Sequence, residues 1–183
     1  MNQGLWKDLE QKKLTKQKLV DSRFAIGFAH FGISVDRAEM ALHYQDYISL
    51  QGQSFPGAED LLARLEKAGY QLYGATNGVT AIQEGRLAHS TIASYSKRSL
   101  SLSSFILRNQ NLHFFDKVGQ LIPGFSKEET LMIGDSLTAD IAGGNASGID
   151  TVWYNPDRKE NTSLVVPTYT VSTYQEIADF LLK

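Results

Sequence analysis

Apolar positions recur at helical spacing over the first 50 residues. Leu19, Val20, Phe24, Phe28 and Phe31 form a stripe at a period near 3.6 that stops at Gly32, with Thr15 placed to cap it. Asp36 opens a second predicted helix that carries Ala38, Ala41, Leu42, Tyr44 and Ile48. The pattern changes at Ser54-Phe55-Pro56-Gly57. Pro56 and Gly57 open a helix with Leu61, Leu62 and Leu65 on one face, closed by Ala68-Gly69. Gln71–Ala75 then reads as a strand that ends at Thr76-Asn77-Gly78, and a helix with Val79, Ile82 and Leu87 follows. A second apolar run, Thr130–Ile133, ends at Gly134-Asp135-Ser136 and leads into a helical stretch up to Gly148 and a strand, Thr151–Tyr154. A last helix starts at Thr173, with a Thr173/Glu176 capping box and Ile177, Phe180 and Leu181 as its apolar face. Strand and helix alternate from residue 55 onward, which predicts a doubly wound α/β domain on a parallel sheet. The expected division is a helical module over residues 1–52 and an α/β core over residues 53–183.

Composition narrows the classes. Of the 183 residues 42% are apolar and 21% charged, so the chain can build an ordinary core. Absence of cysteine excludes disulfides, thiolate nucleophiles and thiolate metal ligands. The net charge of −2 gives no footprint for nucleic acid. No apolar run approaches the roughly 20 residues needed to span a bilayer. The opening MNQGLWKDLEQKKLTK lacks the apolar stretch of a secretory signal. A cytoplasmic protein without membrane or nucleic-acid partners is expected.

In an open α/β sheet ligands bind at the carboxyl ends of the strands, and two polar clusters fall there. Thr76-Asn77-Gly78 places a hydroxyl beside backbone N–H groups at a helix start, a site for an anion. A plain helix cap is the structural alternative. In the second cluster, Gly134 to Asp140, two carboxylates lie five residues apart. Oxygen ligands on a tight turn suit Mg²⁺, which takes one or two carboxylates, waters and a substrate phosphate. The alternative is that Asp135 caps the helix and Asp140 complements its dipole. Gly143, Gly144 and Gly148 lie within and at the end of the helix and form no dinucleotide fingerprint. His30, His43, His89 and His113 show no ligand spacing, and Ser136 lacks a G-x-S-x-G elbow.

The segments FPGAEDLLARLEKAGYQLYGATNG and TLMIGDSLTADIAGGNASGIDTVWYNP together resemble the haloacid dehalogenase (HAD) superfamily of phosphatases, in its pyrimidine 5′-nucleotidase-like branch. The resemblance covers nearly the whole chain apart from about residues 96–112, and it likens residues 1–52 to the family's small helical cap. It implies a Mg²⁺-dependent hydrolase of phosphate esters, acting on a nucleotide or another small phosphorylated metabolite through an aspartyl-phosphate. Thr76 corresponds to the family's phosphate-holding hydroxyl, with Asn77 and Gly78 framing the phosphate, and Asp135 and Asp140 correspond to the acidic metal pair.

Two family motifs have no counterpart. The 183 residues contain no D-x-D, so neither the Asp nucleophile nor the acid/base Asp of a D-x-D-x-T motif is present. Met1 falls within the family's cap, so the resemblance implies a truncated chain without the first, central strand of the sheet. The family's Lys motif is also absent. Ser96–Ser101 and Arg108–Gln110 are what one choice of codons for the family segments F-E-E-V-F-I-S and Q-K-P-E gives when read one base out of frame. Residues 96–111 are therefore expected to be frameshifted, with Asn109 near the family's Lys and only Lys97, Arg98 or Arg108 as nearby cations. The expectation is an inactive fragment of a nucleotide phosphatase. A non-catalytic phosphate- or nucleotide-binding module and the downstream half of a split phosphatase are the alternatives. Strands left without a partner imply self-association or an upstream fragment as partner.

Overall fold

The computed structural model describes residues 24, 26–76, 79–96, 119 and 122–183. The chain forms two compact units, Met1–Gln51 and Gly52–Lys183.

In the first unit, residues 24 and 26–29 are helical. The turn closes at Gly32, whose φ of 73° is the left-handed value that glycine adopts without strain, and Ile33 N–H donates to Phe28 O at 3.1 Å. Helix α1 runs over Arg37–Ser49, and Asp36 caps it through Oδ1, which accepts from the N–H groups of Ala38 and Glu39 at 2.9 Å each. The Phe24 and Tyr44 rings meet at 4.8 Å. The predicted apolar face is narrower than expected: Ala41 is buried but Leu42 is 61% exposed. The two are consecutive and therefore about 100° apart around the helix, so one neighbouring helix cannot cover both.

The second unit is an α/β structure. Helix α2 (Ala58–Lys67) starts at Gly57 and ends in a Schellman turn, with Gly69 N–H bonded to Glu66 O and Tyr70 N–H to Leu65 O. Helix α3 (Thr80–Ala88) follows, then a 3₁₀ segment, Thr91–Ser96. Strand β1 is Leu131–Gly134, helix α4 Ala142–Ala146, β2 Asp150–Tyr154, β3 Tyr169–Val171 and helix α5 Tyr174–Leu181. The strands pair in parallel in the order β1-β2-β3, with Ile133 opposite Val152 and Trp153 opposite Thr170.

Alternation along the strands assigns the two faces of the sheet. Val152 and Val171 point to one face, where Leu61 and Leu65 of α2 and Ile177 and Ala178 of α5 bury them, with Leu131 and Ile133 packed alongside. Met132 points to the other face and joins Ile149, Ile122 and Phe125. Gly144 sits against this face: a Cβ there would collide with the Thr151 side chain, so glycine sets how closely α4 approaches the sheet. Gly148, at φ 71°, closes α4 with a second Schellman turn through Ile149 N–H to Gly144 O.

Two elements depart from the sequence pattern. Gln71–Ala75 does not form a strand: Ala75 alone makes a bridge. Leu72 still packs on the core, but an apolar run becomes a strand only where a neighbour offers a ladder, and among the described residues none runs along this segment. Strand β3 carries a pattern too short to have been predicted. It pairs with β2 and brings the capping box of α5 to the end of the sheet. The cation candidates Lys97, Arg98 and Arg108, together with Asn109, lie outside the described residues.

Candidate functional site

The carboxyl end of β1 carries the acidic cluster. The chain leaves the strand at Gly134, turns through Asp135 and Ser136, and enters a single π-helical turn, Leu137–Ile141, that runs on into α4. Ser136 organises this turn. Its Oγ accepts from Ala139 N–H at 3.2 Å, and its carbonyl accepts from the N–H groups of Asp140 at 2.9 Å and Ile141 at 3.1 Å. Its own N–H donates to Asp140 Oδ2 at 3.1 Å. The helix cap is therefore Ser136 and not Asp135. Asp135 is exposed, and its carboxylate takes no hydrogen bond among the described residues, while its carbonyl accepts from Trp153 Nε1 at 3.1 Å. That bond ties the end of β2 to the turn after β1. Asp140 is half-buried and folds back over the strand end. It can do so only because residue 134 is glycine, since a Cβ there would overlap the Asp140 carboxylate.

This geometry fits a hard cation with few protein ligands. One carboxylate is free, a second is held within the same turn, and the described residues contain no cluster of three or more His, Cys, Asp or Glu. A magnesium ion held by one or two carboxylates, waters and a substrate oxygen needs no more. Among the described residues His30, His43 and His89 are exposed, and His89 Nδ1 is 2.8 Å from Gly85 O, whereas His113 lies outside the described residues.

The other predicted cluster is partly described. Thr76 is half-buried immediately after the Ala75 bridge, whereas Asn77 and Gly78 lie outside the described residues. The N-cap of α3 is Val79, in an extended conformation and without a side-chain cap. Thr76 stands three residues before that cap and so is not the capping residue.

The loop after β2 borders the same end of the sheet and had no assigned role in the sequence pattern. Asn155, 6% exposed, donates from Nδ2 to Lys159 O at 2.9 Å and accepts at Oδ1 from Lys159 N–H at 3.0 Å. Its carbonyl accepts from Arg158 N–H, and Arg158 takes a left-handed φ of 52° to close the turn. Lys159 Nζ lies 2.6 Å from Asp157 Oδ2. That bond, the Asp157 charge and the field of Asp135 hold the Lys159 ammonium above the usual lysine range. The W-Y-N-P sequence is the only signal that could have pointed to this loop.

A separate cleft of about 470 Å³ opens where α2 and α5 begin, lined by Phe55, Arg64, Tyr154 and Tyr174 among others. Tyr154 and Tyr174 stack there at 5.1 Å, and burial raises the Tyr174 hydroxyl above the ordinary tyrosine value. None of the predicted site residues lines it.

Residues 5–148 match the haloacid dehalogenase-like hydrolase family. The chain is 52% identical over all of its 183 residues to pyrimidine 5′-nucleotidase PynA of Streptococcus pneumoniae, 77% of which is covered. It is 25% identical to pyrimidine 5′-nucleotidase YjjG of Escherichia coli, across the whole chain and 80% of that protein. The HAD-hydrolase YfnB of Bacillus subtilis, in a crystal structure bound to magnesium, superposes with a TM-score of 0.88 at 37% identity, covering 98% of this chain and 78% of that one. A parallel sheet that sets its acidic turn at a strand end, and a family match spanning most of the sequence, lead to one conclusion: the chain belongs to the haloacid dehalogenase-like hydrolases.

Proposed function

We propose that this hydrolase chain binds nucleoside monophosphates or similar small phosphate esters together with Mg²⁺, and that its 183 residues do not by themselves complete the hydrolytic step. The relatives PynA and YjjG carry the name pyrimidine 5′-nucleotidase, and nucleotide phosphatase is the activity that homology supports. The observation that carries the site assignment is the transfer of the capping role to Ser136, which leaves the Asp135 carboxylate exposed at the end of β1.

In this reading Asp135 and Asp140 hold Mg²⁺, with Asp140 oriented by Ser136 N–H. Thr76 donates its hydroxyl to the phosphoryl group, and Asn77 and Gly78 frame it with backbone N–H groups. Bound Mg²⁺ supplies neutralisation of charge on the phosphoryl oxygens. No Asp of a D-x-D pair is present to attack the phosphorus or to protonate the leaving oxygen. The residues therefore bind and orient, and turnover requires a carboxylate from outside them, as in a split phosphatase. Residues 1–52 are assigned as the cap and residues 53–183 as the core, the aberrant stretch 96–111 being attributed to a frameshift that resequencing of the gene checks. A cytoplasmic location is part of the same proposal.

Thermal unfolding tests the binding claim. Uridine monophosphate with Mg²⁺ at 100 times its Kd is expected to stabilise the chain by about 2.7 kcal/mol, by mass action. Thr76→Ala and Asp135→Asn are expected to reduce the shift. A wild-type chain with no shift at millimolar ligand contradicts the proposal.

A further inference from the structure

A phosphate dianion seated beside two aspartates needs positive charge from the protein as well as from the metal. The family's Lys position falls in a stretch outside the described residues, but the described structure brings another cation to the same edge of the sheet. Gly134 pairs with Trp153 in the β1–β2 register, so Asp135 and the loop that starts at Asn155 leave the sheet side by side. Trp153 Nε1 fastens the two together through Asp135 O. The near-buried Asn155 amide then grips both backbone groups of Lys159, so the root of that side chain is fixed relative to the strand end. Arg158 in its left-handed conformation is part of the same closed turn.

We propose that Lys159 is a substrate-binding residue of this site, its ammonium pairing with the phosphate group held beside Asp135. The assignment deepens the phosphate-site reading and rests on it. Lys159 now pairs with Asp157, and the two side chains are 71% and 66% exposed. An exposed pair of this kind is weak and exchanges readily. A dianion offers two charges and charge-assisted acceptors, so the ammonium transfers to it without any change in the loop backbone.

Calorimetric titration with orthophosphate at saturating Mg²⁺ tests the assignment. Lys159→Gln is expected to raise Kd about fivefold, the range of one partly exposed charge pair, and Lys159→Arg to keep most of the wild-type affinity. Because the side chain is exposed, the melting temperature without phosphate should match wild type in both variants, which separates a binding role from a structural one. An unchanged Kd in Lys159→Gln, with Thr76→Ala weakening the same titration, overturns this inference and leaves the phosphate site standing. Equal losses in the Gln and Arg variants also overturn it, since charge would then not be the cause. A wild-type chain that binds no orthophosphate overturns both readings.

Discussion

Asp135 and Ser136 are neighbours with opposite tasks. Ser136 spends all its polar groups inside the turn, whereas Asp135 commits only its carbonyl, to Trp153. Their substitutions should therefore separate stability from binding. Ser136→Ala removes a helix cap and is expected to cost about 1 kcal/mol in urea unfolding. Asp135→Asn, at an exposed position, should leave the unfolding free energy within about 0.5 kcal/mol of wild type while reducing the Mg²⁺-dependent stabilisation by uridine monophosphate. Equal loss of stability in both would show that the carboxylate is structural. The sequence indicates the acidic pair and its spacing but not this division, because an Asp and a Ser are both good caps and only the side-chain geometry decides between them. The same holds at Thr76: the T-N-G turn reads as a cap or as an anion site, and the cap proves to be Val79.

At the scale of elements, the legible features are those fixed locally. Helix ends are specified by a few consecutive residues: Asp36 at the start of α1, Gly69 and Gly148 at the ends of α2 and α4, and the Thr173/Glu176 box of α5. In that box Glu176 N–H donates to Thr173 Oγ1 at 3.1 Å, and Thr173 N–H returns a bond to Glu176 Oε2 at 3.2 Å. Because α5 buries Ile177 and Ala178 against β2 and β3, its start also sets the packing of this face. Thr173→Ala should destabilise the chain by about 1 kcal/mol, with an unchanged urea m-value. A drop in m would instead indicate that α5 detaches. Strands were less legible because their existence depends on distant partners. Gln71–Ala75 has a strand's sequence and only one bridge, while Tyr169–Val171 has little pattern and a full partner in β2. The buried Thr151 shows the same dependence: its N–H donates to Thr168 Oγ1 at 2.9 Å, across 17 residues that no local pattern links.

For the molecule as a whole, the family and the α/β architecture follow from two sequence segments, and the likenesses to PynA and YfnB extend over almost the entire chain. The site drawn from those segments, Thr76 with Asp135 and Asp140, is the one proposed to bind an anion and a cation. No D-x-D occurs in the 183 residues. In the proposed reading binding and turnover are separable, and only the first belongs to this chain. The most direct test is hydrolysis of uridine monophosphate by the purified chain with Mg²⁺, followed as released phosphate, with Asp135→Asn as the control. The account predicts release no faster than in buffer, from a chain that nevertheless binds the nucleotide. Release well above buffer that disappears in Asp135→Asn would contradict it.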